Sequence, residues 1–400
     1  MLNAAVAVAK ADPSPVRQSS LTHWNLLARF REHLEGALGS ETLNPSWNNR
    51  RRRLQAADYL CLYLFGLLNP VVRTMRALCQ ASHLERVQKE VCNSPVSLGS
   101  FSEAQHLLDP ELLGKVFESL ASQLPSEAKD QRLAGSQEWL ARDGSLFAAL
   151  PRMSWALCGA GRAGCPNRAV RLHLSFHVLA GKPVRAQVTE GKRCERAVWE
   201  EQWVDGDAYI GDRYFSGSYK LLARLEERGC VYVLRLRDQA SIHVEEELPL
   251  SQADRKAKVL RQAWGRLGFR RQTRSVRVRV VWIEKSEGEQ MILLSNLPPS
   301  ELSAELMALL YRKRWQVELF FRWIKYLLKC RNWLAESSEG AAIQLYLALI
   351  GSLLLQLYTG RRPTKRMMEL IQFYMLEVAS LDELSAGLQR EIARLAKQKA

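Results

Sequence analysis

Apolar residues recur every three or four positions through "LARFREHLEGAL" and "PELLGKVFESLASQL", which predicts amphipathic helices over most of the stretch from Leu21 to Leu124. "LQAADYLCLYLFGLL" is apolar nearly all round and predicts a buried helix. "NSPVSLGSFSEAQHLLDPELLGKVFESL" predicts two helices joined by a turn at "LDP", with Ser100 or Ser102 as N-cap. A helix-turn-helix and a plain helical hairpin fit that pattern equally well. The period then changes to two. "AVRLHLSFHVLAGKPVRAQVTEG" predicts a hairpin turning at "AGK". "EWLARD" and "DAYIGD" predict strands ending at Asp143 and Asp212, and "CVYVLRLR" a third. Between the last two, "SGSYKLLARLEERG" predicts a helix closed by Gly229. "SIHVEEELPL", "RVRVVWIEK" and "QMILLSNLPP" predict further strands, and helical spacing resumes at Glu301.

Strands followed by alternating strand and helix argue for an α/β fold around a mixed sheet flanked by helices. The pattern divides into a flexible tail (1–20), a helical domain (21–130), an α/β domain (137–237 and 300–360), a β-rich insertion (238–299) and a helical C-terminal region (361–400). The longest apolar run, "LYLALIGSLLLQLY" (345–358), is too short to span a bilayer and carries Gln356, so it predicts a core helix and no membrane association. "LDELSAGLQREIARLA" predicts an amphipathic helix that dimerises or caps the core.

Composition sharpens this picture in two ways. Eight cysteines without a CxxC, several of them inside apolar runs, suit reduced, buried thiols in the cytoplasm. The formal net charge is +15, which favours a polyanionic partner, nucleic acid first. Much of that charge is local: Arg255 to Arg279 hold ten Lys/Arg and no acid. In "SVRVRVVW" Arg277 and Arg279 share one strand face, and with Arg270 and Arg271 they predict a basic surface for DNA phosphates.

Against this background "YRKRWQVELFFRWIK" (311–325) sets one acid, Glu318, among five bases. On a continuous helix, with Tyr311 at zero, Arg314 falls near about −60°, Glu318 near about −20°, Arg322 near about +20° and Lys325 near about −40°. Val317, Phe320, Phe321 and Ile324 take much of the rest and give the helix a face to bury. The pairs Arg314–Glu318 and Glu318–Arg322 are worth only a few tenths of a kcal/mol each, which accounts for the arginines but not for the tyrosine or the long polar stripe. Asp143 and Asp212 end buried strands, where a carboxylate is costly unless it is paired, hydrogen-bonded or metal-bound. Three remote acids converging on hard divalent cations would form a phosphodiester-cleaving site, and the surrounding bases would grip the strand being cut. Cys158, Cys165, His173 and His177 have poor spacing for zinc, and the histidines read better as packed or hydrogen-bonded strand residues.

The spacing Tyr311, Arg314, Glu318, Lys325 resembles the Y-R-E-K signature of DDE transposases of the insertion-sequence-four type. "DGSLFAALP" at Asp143, "YIGDRYF" at Asp212 and "LLSNLPP" before the last helix are similar to the same family. The resemblance covers roughly 137–360. It implies a ribonuclease-H-like catalytic domain, interrupted by an insertion within the gap of 106 positions from Asp212 to Glu318. It implies Mg²⁺ held by Asp143, Asp212 and Glu318, with Mn²⁺ able to substitute. The reaction implied is cleavage at element ends, followed by joining of the 3′-hydroxyl to target DNA. Tyr311, Arg314, Lys325, Arg322 and Arg213 would hold phosphates. The helical domain would recognise double-stranded terminal inverted repeats, in a homodimer acting on the nucleoid of the bacterial cytoplasm. Met291 stands where relatives that flip a base carry a tryptophan, and Trp282 or Trp264 is a candidate replacement as stacking platform. Two other readings share these residues: a nuclease that cuts without joining, and an inactive DNA-binding regulator.

Overall fold

The computed structural model describes residues 25–39, 45–48, 52–124, 137–158, 167–268, 276–285, 288–328, 333–376 and 378–397. The tail at 1–20, Arg270, Arg271, Cys165 and Cys330 lie outside the described residues. Two compact units are formed, one by 1–124 with 346–400 and the other by 125–345.

The first unit is helical: α1 (Asn25–Gly39), α2 (Ala56–Leu68), α3 (Met75–Ala81), α4 (Glu85–Glu90), α5 (Leu98–Leu107) and α6 (Pro110–Gln123). Its core is built on α2, where Tyr59 and Tyr63 stack on Phe101 of α5 with ring centroids 4.8 and 5.5 Å apart. The buried Asp58 is satisfied by Arg31 at 2.8 Å and by Asn93. The N-cap of α5 is Ser97, whose hydroxyl accepts from Ser100 N at 3.1 Å, rather than Ser100 or Ser102. Asp109 caps α6, and Pro110 takes the first helical position, where its missing N–H costs nothing. The α5–α6 pair carries Glu103, Asp109, Glu111 and Glu118 against Lys115. That charge favours the plain hairpin over a DNA-reading helix-turn-helix.

The C-terminal helices are α13 (Lys365–Met375) and α14 (Leu381–Lys397), which pack on each other within this first unit. They are preceded by α12 (Ser338–Thr359), in which the unit boundary falls. This helix is longer than its apolar run suggested, and by length and composition it could cross a bilayer. Burial argues for a core helix instead: Leu347, Leu349, Ile350 and Leu353 are fully buried, and a Cβ at Gly351 would lie 3.1 Å from Leu64.

The second unit holds a nine-stranded mixed sheet in the order β3-β2-β1-β4-β5-β9-β8-β7-β6. The strands are β1 (Trp139–Ala148), β2 (Ala169–His177), β3 (Lys182–Glu190), β4 (Ala208–Gly211), β5 (Val231–Arg235), β6 (Ile242–Leu248), β7 (Val259–Leu267), β8 (Arg277–Glu284) and β9 (Gln290–Ser295). β1, β2 and β3 form an antiparallel meander, while β4 and β5 run parallel to β1. α7 (Glu195–Glu201) and α8 (Tyr219–Glu227) connect β3, β4 and β5. They bury Trp199, Trp203, Leu221 and Leu225 against Tyr209, Tyr232, Val278 and Leu294. On the other face lie α9 (Gln252–Lys256), α10 (Ala304–Lys313) and α11 (Trp315–Leu328). There Phe320 meets Phe176 with centroids 5.9 Å apart. This is the mixed sheet flanked by helices expected of a ribonuclease-H-like domain.

Residues 238–299 do not interrupt the sheet but extend it, because β9 pairs antiparallel with β5 and carries β8, β7 and β6 outward. β7, which the hydrophobic pattern did not predict, completes that extension. Between β1 and β4 the chain leaves the sheet in opposite directions, one strand turning back as a hairpin and the other crossing over through α8. Such a switch point in an open α/β sheet is where the carboxyl ends of strands leave a crevice for ligands.

Candidate active site

The register places two carboxylates side by side. Leu140 pairs with Tyr209 and Ala141 with Ile210 on the parallel strands β1 and β4. Two residues further along each chain, just past the last paired positions, stand Asp143 and Asp212. Asp212 follows the last residue of β4 as expected, and its Oδ1 accepts from Tyr214 N at 2.9 Å, which turns the chain. Asp143 does not end its strand. It lies in the middle of β1, because the antiparallel ladder with β2 continues to Ala148 after the pairing with β4 has stopped.

The third carboxylate comes from α11, which packs on the face of β1 that carries Asp143. The helix expected over 311–325 is two helices, with Arg314 at the junction in a helical conformation (φ −52°, ψ −31°). Arg314 Nη1 lies 3.4 Å from Asp143 Oδ2, and Nη2 lies 2.5 Å from Glu318 Oε1. Its side chain is only 11% exposed, and the guanidinium also lies over the Tyr311 ring at 5.5 Å. Lys325 sits over Phe147 of β1, with Nζ 5.4 Å from the ring centroid. One buried guanidinium thus joins Asp143 to Glu318 and rests on Tyr311.

The electrostatics follow from this crowding. Burial pushes the Asp143 carboxyl up to about 7, against the pull of Arg314, and the negative charges of Asp212 and Glu195 push the same way. The Tyr311 hydroxyl is also raised, chiefly by burial, with Arg314 opposing. Burial works against the charge of Arg314, but Tyr311, Asp143 and Glu318 hold it firmly cationic.

Among the described residues, no three His, Cys, Asp or Glu side chains are grouped closely enough to hold a metal ion. The three acids do not form one cluster: Arg314 lies between Asp143 and Glu318, and Asp212 acts on Asp143 through its charge. The donor chemistry nevertheless suits a hard divalent cation. All three groups offer carboxylate oxygens, and the repulsion recorded at Asp143 is what a bound cation relieves.

A fourth carboxylate carries no motif and was not foreseen. Glu195, the first residue of α7, pairs with Arg171 of β2 at 2.9 Å. Its Oε1 would lie 2.0 Å from a Cβ at position 144, so Gly144 keeps space for it beside Asp143. The "DG" dipeptide was the one visible trace of this approach.

The expected DNA-contact residues separate. Arg213 and Arg322 are exposed, the latter stacked on Trp315 at 5.4 Å. Arg279 is fully buried, donates to Leu302 O at 2.5 Å and cannot reach a phosphate. The face it shares with Arg277 is covered at its end by the chain entering α10. Arg277 is exposed but pairs with Glu245 at 3.3 Å and Glu246 at 3.1 Å of strand β6, which neutralise its charge. Trp282 lies under the Arg261 guanidinium at 4.7 Å, and that arginine is itself bonded to Glu247. Met291 is half-buried opposite Ile283, on the other side of the sheet from Trp282. The zinc alternative finds no support in the histidines: His173 bonds Thr189 at 2.9 Å, and His177 Nδ1 accepts from Ala180 N at 3.1 Å. Cys61, Cys79, Cys92 and Cys230 are buried free thiols, but Cys158 is half-buried and Cys194 exposed.

Comparison with known proteins places the chain in a family. A protein of Geobacillus stearothermophilus named as a transposase for insertion sequence element IS5377 is 29% identical over 207 residues, 51% of this chain and 52% of that relative. The chain thus spans about half of that relative's length. A Sinorhizobium fredii protein named as transposase y4zB is 24% identical over 333 residues, 82% of this chain and 87% of the relative. Among solved structures, the piggyBac transposase in a synaptic complex with hairpin DNA matches 94% of this chain and 83% of its own, at 11% identity and a TM-score of 0.46. The Transposase DDE domain family matches residues 143–354, beginning at Asp143 and taking in Asp212, Tyr311, Arg314, Glu318 and Lys325, and the chain belongs to that family of transposases.

Proposed function

We propose that the chain binds the double-stranded ends of a mobile element, cleaves them by metal-dependent phosphodiester hydrolysis and joins the freed 3′-hydroxyl to target DNA. The observation that carries this reading is the Arg314 guanidinium lying between Asp143 and Glu318, with Asp212 next to Asp143 at the strand switch point. In this reading Asp143, Asp212 and Glu318 hold Mg²⁺, or Mn²⁺ in its place. A divalent ion held by these carboxylates would supply activation of the attacking oxygen and stabilisation of the leaving oxygen of the phosphodiester.

The chain's own residues do the rest. Arg314 offsets part of the negative charge of Asp143 and pairs with Glu318 in a half-buried site, and can turn its guanidinium to a DNA phosphate once their charge is met by other cations. Tyr311 supports the Arg314 plane, and Lys325 and the exposed Arg322 and Arg213 grip neighbouring phosphates. The helical region 21–130 recognises the element ends through surfaces other than the acidic α5–α6 pair, in a dimer that holds two ends together.

The test supplies labelled element-end DNA, Mg²⁺ and a target duplex, and follows nicked, hairpin and joined products. Glu318→Gln is expected to abolish cutting while retaining DNA binding. Equal loss of both would make Glu318 structural, and nicking without joined product would make the protein a nuclease alone.

A further inference from the structure

The loop that begins at Asp212 leads into an arrangement of arginines that the catalytic residues do not use. A Cβ placed on Gly217 would lie 3.0 Å from Arg237 Cζ, 3.1 Å from Arg237 Nη2 and 3.1 Å from Arg196 Nη2. Two guanidiniums, one from α7 and one from the segment after β5, therefore close on the same point above an exposed glycine. Like charges brought this near repel each other unless something anionic lies between them.

Their own contacts hold them in place without neutralising them. Arg196 Nε donates to Tyr214 O at 3.0 Å, and its plane stacks on the Tyr214 ring at 4.4 Å. Arg237 Nε reaches Arg213 O at 3.4 Å. These acceptors are uncharged. Among the described residues no carboxylate pairs with Arg196, Arg237 or Arg213, whereas neighbouring arginines do find acids: Arg193 with Glu201, Arg224 with Glu200, and Arg228 with Asp205. The adjacent acids are engaged elsewhere, Glu195 with Arg171 and Asp238 with Arg235.

The backbone adds to the positive field. Gly217 and Ser218 lead into α8, with Ser218 as its N-cap and no acid in its first turn, where Lys220 is exposed. The amino end of a helix favours anions, and a first turn without an acid leaves that preference unmet.

We infer that Arg196 and Arg237, converging over Gly217, form a clamp for a backbone phosphate of the bound DNA next to the strand that is cut. The inference rests on the DNA-cleaving reading above and adds a site to it. The loop 212–218 ties the two together: Asp212 starts it, and the clamp closes over its other end. The contact carries no base specificity, since it reads phosphate and not base edges.

The experiment measures equilibrium binding of full-length protein to element-end duplex and to an unrelated duplex of equal length, across a salt series. Arg196→Gln and Arg237→Gln are each expected to weaken both duplexes by a similar factor, several-fold or more. Each should also reduce the slope of log K against log salt by about one. Arg196→Lys, which keeps the charge, is expected to keep the slope. Gly217→Ala crowds only the ends of two flexible side chains, and is expected to weaken binding while leaving the melting temperature near that of the parent protein.

Wild-type protein that binds neither duplex would overturn the DNA-cleaving reading and the clamp together. Wild-type binding with an unchanged slope in the folded Arg196→Gln/Arg237→Gln double variant would overturn the clamp alone. Protection of that site by inorganic phosphate, with DNA binding unaffected by the substitutions, would show a small-anion site and likewise overturn it.

Discussion

Replacing Asp143 by asparagine should stabilise the fold while destroying the chemistry. In the folded chain the Asp143 carboxyl is pushed from 3.8 to about 7, first by burial and then by the charges of Asp212 and Glu195. Below about pH 4 the group is protonated in both folded and unfolded states, and its burial carries no electrostatic penalty. As pH rises, the unfolded chain releases this proton first, so stability falls until the folded group also ionises near pH 7. Taken in full, the displacement is worth about 4 kcal/mol. The side chain is 23% exposed, and water reaching it brings the cost to about 2–4 kcal/mol. Asparagine keeps the acceptor that Gly144 N uses at 2.9 Å, and Arg314 keeps Glu318. The assay is thermal unfolding of metal-free protein between pH 4 and 8, followed by circular dichroism. Asp143→Asn is expected to melt higher than wild type at pH 8, by roughly 5 °C or more, and to converge with it near pH 4. Mg²⁺ is expected to raise the wild-type melting temperature at pH 8 and to leave the variant unmoved. Coincident curves across that range would refute the idea that Asp143 is an electrostatically strained carboxylate.

Other outcomes follow from the same packing. Gly144→Ala puts a methyl into the space of the Glu195 carboxylate, and denaturant unfolding is expected to show a loss of about 1–3 kcal/mol. Adding Glu195→Ala to that variant should return part of the loss. Arg279→Ala removes a fully buried side chain that fastens Leu302 at the entry to α10, and is expected to cost about 2–4 kcal/mol. Its salt slope for DNA binding should be unchanged, which separates it from the exposed arginines. Ser97→Ala removes the N-cap of α5 and should cost about 1 kcal/mol by the same unfolding assay.

The parts of the fold that could be read in the sequence are those whose periodicity is undisturbed. The β2–β3 hairpin and α8 with its closing Gly229 (φ 65°) follow directly from spacing and turn chemistry. β7 was hidden because "VLRQAWGRL" has no clean alternation, and its pairing shifts register between Val259 and Arg261. Period two correctly put Arg277 and Arg279 on one face. It could not show that Leu302 and Met307 would close over one end of that face, nor that Glu245 and Glu246, over thirty residues earlier, would neutralise the other. The same limit applies to the site. Tyr311, Arg314, Glu318 and Lys325 could be singled out as candidates because their spacing is local. The break at Arg314, the mid-strand position of Asp143 and the approach of Glu195 depend on contacts between segments far apart in sequence.

The account rests on Asp143, Asp212 and Glu318 serving one divalent-ion site. The most direct measurement titrates the protein with Mn²⁺ and follows the free-ion signal by electron paramagnetic resonance. Wild-type protein is expected to bind the ion, with Asp143→Asn, Asp212→Asn and Glu318→Gln each weakening binding about tenfold or more. Undiminished Mn²⁺ binding in all three variants would contradict the account.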